Sequence, residues 1–265
     1  MSTVSGWRAS GFGLSHVGKV RQRNEDSLAI DGEGRFVLVA DGMGGHKGGM
    51  EASRMTIDLV SEALDKLHSK MDTASDDNVR NFLRELFQKT SRQVHDRGAK
   101  DPLLAHMGTT LVVWMICGNE FKLAHVGDSR AYLVRDGEIF LISMDHTFVN
   151  EQIAAGAERD QLFGGSNYKN AIFRNIGMMP PSEPSIVSGE PCEGDLWILC
   201  SDGLSNKMTG REMLEIVKNH LTLEEERTQF FADTCRDLVQ LALDRGGEDN
   251  ISVLFFSVLK DEKSN

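Results

Sequence analysis

Four aspartates, Asp41, Asp128, Asp202 and Asp249, each stand at the boundary of an apolar run that reads as a buried strand. Asp41 closes the run 36–40 (FVLVA), and Asp128 follows 121–126 (FKLAHV) and a glycine. Asp202 follows 195–200 (DLWILC) and a serine, and Asp249 precedes 251–258 (ISVLFFSV). A carboxylate at the end of a buried strand loses hydration and needs a compensating partner. If the last strand runs antiparallel to the others, all four groups reach one sheet edge. There like charges raise one another's pKa unless cations lie among them. A divalent metal cluster is the simplest neutraliser. Two metals about 3.5–4 Å apart can acidify a water and clamp a phosphoryl group. Glycines crowd the first of these positions (Gly42, Gly44, Gly45, Gly48, Gly49). They let backbone oxygens approach a ligand, and oxygen ligands suit a hard cation. The plainer reading is that each aspartate serves its own strand-end turn.

Arg21 precedes the adjacent acids Glu25 and Asp26. Such a group is commonly a surface ion pair. The functional alternative is an anion-binding guanidinium, whose planar fork offers phosphate two parallel hydrogen bonds, beside metal-ordering carboxylates.

The elements that position these groups follow from periodicity. Ala52, Met55, Leu59, Val60, Ala63, Leu64 and Leu67 form a helical stripe. A polar break at 71–78 separates it from a second stripe, Val79, Phe82, Leu83, Leu86 and Phe87, with Gly98 just past its expected end. Residues 12–15 read as a short strand. Residues 109–117 and 121–126 form a hairpin about Gly118-Asn119, and Asp136-Gly137 turns a second one. Thr209 with Glu212, and Thr222 with Glu225, have capping-box spacing and predict two further helix starts. The weakly periodic segment 146–177 predicts a small flap that carries substrate contacts.

At 265 residues with 40% apolar composition, the chain fits one domain over 1–265 with a substantial core. No window approaches the roughly 18 apolar residues of a membrane span, and the start has no secretory apolar core. Four scattered cysteines without a CxxC pair predict reduced thiols, three of them in or beside apolar segments, and a cytoplasmic protein. The net charge of −11, from 40 acidic and 29 basic residues, argues against a nucleic-acid binder.

The motifs VRQRNEDS (20–27), VADGMGGH (39–46), MGTTL (107–111), HVGDSRAYL (125–133), DHT (145–147), SDGL (201–204) and EDNIS (248–252) occur in one order across nearly the whole chain. Together they resemble the metal-dependent serine/threonine protein phosphatases of the 2C (PPM) family in its bacterial form. The resemblance implies an α+β fold, a four-layer αββα sandwich of two antiparallel sheets flanked by helix pairs. It implies hydrolysis of phosphoserine and phosphothreonine by water held between two Mn²⁺ or Mg²⁺ ions, without a phosphoenzyme. By position, Asp41 bridges the two metals, Asp202 and Asp249 ligate the first, and the Gly42 carbonyl ligates the second. Glu25 and Asp26 hold metal-bound water or the second ion. Asp128 joins Asp202 in a third metal site, and Arg21 binds the substrate phosphate. Asn206, Asn250 and Ser129 stand behind these groups. The resemblance also implies phosphoprotein substrates and a cognate Ser/Thr kinase, with kinases that govern secretion systems among those opposed by relatives, and we expect a monomer.

Two positions depart from the family pattern. The residue after Asp41-Gly42 is Met43 where animal members carry a histidine proposed as general acid, which leaves His46 as a candidate for that role. Asn206 stands where aspartate is frequent and is expected to supply neutral oxygen instead, which predicts weaker outer-shell water binding and not a loss of activity. His146 is expected to be structural. Among rival readings, a catalytically dead phosphoprotein binder should lack a carboxylate of this set, and none is missing. A two-metal nuclease would want basic residues along a phosphate backbone. A kinase lacks its strand lysine and catalytic-loop motifs here.

Overall fold

A computed structural model describes residues 6–44, 47–157, 171–222 and 226–260. Among these residues eleven strands form two sheets. In chain order they are β1 (Trp7–His16), β2 (Asp26–Ile30), β3 (Phe36–Met43), β4 (Gly108–Thr109), β5 (Leu111–Cys117), β6 (Glu120–Val126), β7 (Arg130–Arg135), β8 (Glu138–Leu141), β9 (Ser185–Gly189), β10 (Leu196–Cys200) and β11 (Ile251–Lys260). The first sheet runs β1-β11-β10-β7-β8 and the second β2-β3-β5-β6-β9, with the short β4 paired to β3. Every pairing is antiparallel.

The unbroken apolar runs reflect strands covered on both faces. In β3, Val37 and Val39 point between the sheets, where Trp114, Trp197, Leu254 and Phe256 interdigitate. Trp114 meets Phe256 edge-on, with ring centroids 5.0 Å apart. Phe36, Leu38 and Ala40 point outward against a pair of long helices, α1 (Gly48–Met71) and α2 (Asp76–Ala99). The first sheet's outer face, with Ile198, Val253 and Phe255, packs on α5 (Gly210–Leu221) and α6 (Arg227–Asp244). Between these pairs come α3 (Phe148–Ala154) and the single turn α4 (Asp202–Ser205). The four layers are therefore helix pair, sheet, sheet, helix pair, as expected. Each fully buried aliphatic or aromatic side chain in these layers contributes roughly 1.5–3 kcal/mol.

Several local expectations hold. Cys117 pairs with Glu120 about Gly118-Asn119. Arg135 pairs with Glu138 about Asp136-Gly137, and the two turn residues have φ of 54° and 75°, as a two-residue primed turn requires. Thr209 and Glu212 make a reciprocal capping box at α5. Cys117, Cys200 and Cys235 are buried free thiols.

Others are corrected. Thr222 closes α5 as its C-cap, and its hydroxyl donates to the Asn219 carbonyl at 2.7 Å. The next described helix, α6, begins at Arg227 behind Glu226, and Glu225 lies outside the described residues. Gly98 lies within α2, because its bare Cα lets the Leu104 carbonyl approach; a Cβ there would stand 2.9 Å from that oxygen. β1 is ten residues long, not four. Gly11 permits this, since a Cβ would lie 2.3 Å from Phe255 O in β11. Of the flap expected over 146–177, residues 158–170 lie outside the described residues. The described remainder carries α3 and is tied to the body by paired backbone bonds between Thr109 and Ile176. Among the described residues no helix is long and apolar enough to cross a membrane.

Candidate metal centre

The cluster forms because strands from both sheets deliver their ends to one edge. β11 runs antiparallel to β10, so Asp249 before β11 meets Asp202 after β10. Asp41 does not end β3. The strand continues through Gly42 and Met43, which pair with Thr109 and Gly108. Gly42 is required there, since a Cβ would stand 2.2 Å from Gly49 O and 2.5 Å from Glu25 O. The β2–β3 register places Asp26 directly opposite Asp41. Asp128 occupies the turn between β6 and β7, behind Gly127 at φ 98°.

These groups wall one cleft of about 490 Å³, lined by Arg21, Glu25, Asp41, Gly42, Asp128, Asp202 and Asp249 along with Met43 and Asn250. Its electrostatics are those of crowded carboxylates. Burial, then Asp26, Asp202, Asp128 and Asp249, hold the Asp41 carboxyl well above the ordinary range. Burial, then Asp202 and Asp145, push Asp128 up to about 7. Burial is also the main cause that raises Asp26 to about 6, against hydrogen bonds from Ser252 and Ser201. Asp202 is raised by burial and by Asp249. Asp26 Oδ1 and Asp128 Oδ1 are buried without a hydrogen-bond partner. Such orphaned acceptors are costly unless something outside the protein's own hydrogen bonds satisfies them.

Among the described residues, no three His, Cys, Asp or Glu side chains already close on one point as a metal cage. The fit to divalent ions rests instead on the donor chemistry and the orphaned oxygens. All available donors are oxygens, mostly carboxylate, which suits Mn²⁺ or Mg²⁺ and disfavours soft metals.

Supporting side chains lock the wall. Asp41 N donates to Thr110 Oγ1 at 2.9 Å, and that hydroxyl meets Ser129 Oγ at 2.7 Å. Ser201 Oγ donates to Asp26 Oδ2 at 2.8 Å. Asn206 turns its amide N–H, not its oxygen, to Asp202 Oδ2 at 3.1 Å. Asn250 uses its whole amide: Nδ2 donates to the Val17 and Arg23 carbonyls, both at 2.9 Å, and Oδ1 accepts from Glu25 N at 2.8 Å. It thereby staples the segment bearing Arg21 and Glu25 to the start of β11. We expect Asn250→Ala to cost roughly 3 kcal/mol, about 1 kcal/mol for each buried bond lost; urea unfolding of the metal-free protein reads this directly.

Arg21 reaches the cleft, where Nη2 donates to Asp249 Oδ2 at 2.8 Å. His46 lies outside the described residues. His146 is fully buried, hydrogen-bonded to Ser185 Oγ at 2.8 Å and stacked on His125 at 4.7 Å. That placement is structural. Thr110 and Ser201 were not singled out by sequence reasoning. Their signal was available, since each is a hydroxyl beside a strand end that carries or faces an aspartate.

A profile of the protein phosphatase 2C family matches residues 12–241. The protein phosphatase PhpP of Streptococcus pneumoniae is 32% identical over 252 residues, 94% of this chain and 97% of its own. The solved structure of PppA, a key regulatory component of the T6SS in Pseudomonas aeruginosa, is 30% identical, with a TM-score of 0.75 over 97% of this chain and 99% of its own. The catalytic domain of the serine/threonine phosphatase PstP, solved with two manganese ions, is 31% identical, with a TM-score of 0.73 over 96% of this chain and 100% of its own. The four-layer sandwich and its carboxylate-walled edge thus define a metal-dependent phosphoric monoester hydrolase. The chain belongs to the protein phosphatase 2C family.

Proposed function

We propose that residues 1–265 form one catalytic domain that removes phosphate from phosphoserine and phosphothreonine in proteins, opposing a Ser/Thr kinase in the cytoplasm of a bacterium. The carrying observation is the convergence of Asp41, Asp128, Asp202 and Asp249 on one cleft beside Arg21. Two Mn²⁺ or Mg²⁺ ions bound there supply charge neutralisation, an acidified water and polarisation of the phosphoryl oxygens. Asp41, Asp202, Asp249 and the Gly42 carbonyl would hold the two ions, with Glu25 and Asp26 as further oxygen donors. Asp128 with Asp202 would hold a third. Arg21 donates to Asp249 in this structure and would offer its fork to the substrate phosphate instead. The fork then orients the phosphoryl group for in-line attack. Met43 faces the same cleft and has no proton to give, so leaving-group protonation falls to another donor.

The test is hydrolysis of an aryl phosphate and a phosphothreonine peptide with Mn²⁺ and with EDTA. Turnover of both is expected with Mn²⁺ and none with EDTA. Arg21→Ala should raise KM for the peptide about 10-fold or more, since a charge-assisted hydrogen bond is worth about 1.5–3 kcal/mol. An inert, folded, metal-loaded parent would reject the reading.

A further inference from the structure

A second groove, of about 520 Å³, adjoins the catalytic cleft, and Met43 lines both. Met107, Met178, Met179 and Pro102 give it an apolar lining, with His95, His106 and Asn175 as its polar members. Met178 and Met179 are 39% and 50% exposed. Two part-exposed methionines side by side beside an active site leave apolar surface in water that an apolar group seated on them would cover.

The groove is held rigidly. Ser91 of α2 accepts from Gly177 N at 2.9 Å and donates to the Met178 carbonyl at 3.1 Å, which pins that backbone on the helix while the two methionine side chains remain exposed. Met107 forms the floor, only 3% exposed. Glycines bring the backbones around it together: a Cβ at Gly44 would lie 2.8 Å from Met107 Cα, and one at Gly177 would lie 2.7 Å from Met107 O. His106 holds φ at 62°, a left-handed conformation that a side-chain-bearing residue adopts at a cost. Fixed backbone under exposed, unbranched thioethers gives an apolar surface that adapts to differently shaped side chains.

We propose that this groove takes an apolar side chain of the substrate polypeptide that flanks the phosphorylated residue, so that it sets sequence preference without touching the chemistry. The proposal rests on the phosphatase reading above. Continuity through Met43 is what commits the groove to substrate: the two spaces share that side chain, so a polypeptide with its phosphate among the carboxylates has the groove within reach of its flanking residues. An apolar contact of this kind discriminates by about 10-fold or somewhat more.

The experiment scans leucine against aspartate through the positions flanking phosphothreonine in a synthetic peptide, with an aryl phosphate as the substrate that has no flanking residues. The parent should favour leucine about 10-fold in kcat/KM at one position. Met179→Lys should abolish that preference and Met179→Leu should retain it, with aryl phosphate turnover equal in all three. Equal kcat/KM for the leucine and aspartate peptides in the parent overturns the groove while aryl phosphate turnover leaves the phosphatase reading standing. A preference that persists in Met179→Lys also overturns it. Absence of all turnover in the metal-loaded parent removes both.

Discussion

Asp41→Asn is expected to lower kcat on a phosphothreonine peptide by on the order of 10³-fold at saturating Mn²⁺, while the metal-free variant melts higher than the metal-free parent. Asp41 is the carboxylate with the most acidic neighbours in the cleft wall, opposed by Asp26 in the strand register and raised by Asp202, Asp128 and Asp249. Losing its charge removes metal-centred stabilisation of several kcal/mol, and each 1.36 kcal/mol is tenfold in rate. In EDTA the same charge is a liability, because it is buried among like charges. The asparagine should therefore stabilise, by about 2–4 °C for each kcal/mol of repulsion relieved. Calorimetry in EDTA beside the peptide assay checks both halves. A variant that loses activity and also melts lower would show that Asp41 serves the fold and not the metals.

The second large effect concerns pH. The cleft aspartates keep protons in the folded state that the unfolded chain releases near its ordinary aspartate value of about 3.9. Stability from this source is complete below that value and is lost as pH rises through the folded values, about 6 for Asp26 and about 7 for Asp128. Two histidines act in the opposite sense. Burial lowers His125 to about 3 and His146 to about 4, so acid costs stability there as the unfolded chain takes up protons near pH 6.5. Between about pH 6.5 and 8 the unfolded histidines give up the rest of their protons, which raises stability, while the carboxylates lower it, so the net Tm of the metal-free protein mixes the two. The difference between Tm with Mn²⁺ and Tm with EDTA should widen steadily, because the histidines cancel in it. A difference between Tm with Mn²⁺ and Tm with EDTA that stays level from pH 6.5 to 8 would contradict the clustering of uncompensated carboxylates.

Much of this site was legible in the chain itself because its geometry is a matter of strand ends. An apolar run that terminates in aspartate says where the carboxylate lies along the strand. The antiparallel return of β11 then brings Asp249 to Asp202. Two classes of detail were not legible. The opposition of Asp26 and Asp41 is a register property, set by β2 pairing with β3, and no local pattern around Asn24-Glu25-Asp26 shows it. Close backbone approach is likewise invisible in hydropathy. Gly11 extends β1 and Gly98 prolongs α2 because a neighbouring carbonyl lies where a side chain would be. Both glycines look like breaks in a linear reading. Thr222 shows the converse, a residue with capping spacing that is taken up as the C-cap of the helix before it.

The pairing of β1 with β11 has a bearing on biosynthesis. Trp7 lies opposite Lys260 and His16 opposite Ile251, so the earliest strand hydrogen-bonds along its whole length to the last. β11 is also interior to its sheet, between β1 and β10. A nascent chain emerging from the ribosome can close the sheet of β2, β3, β5, β6 and β9 first, yet it must hold β1 unpartnered until residue 260 is free. Contacts of such sequence separation form slowly, since loop closure precedes any gain from pairing. Asp249 arrives with that final strand. A nascent chain that has not yet released β11 therefore lacks a complete set of carboxylates.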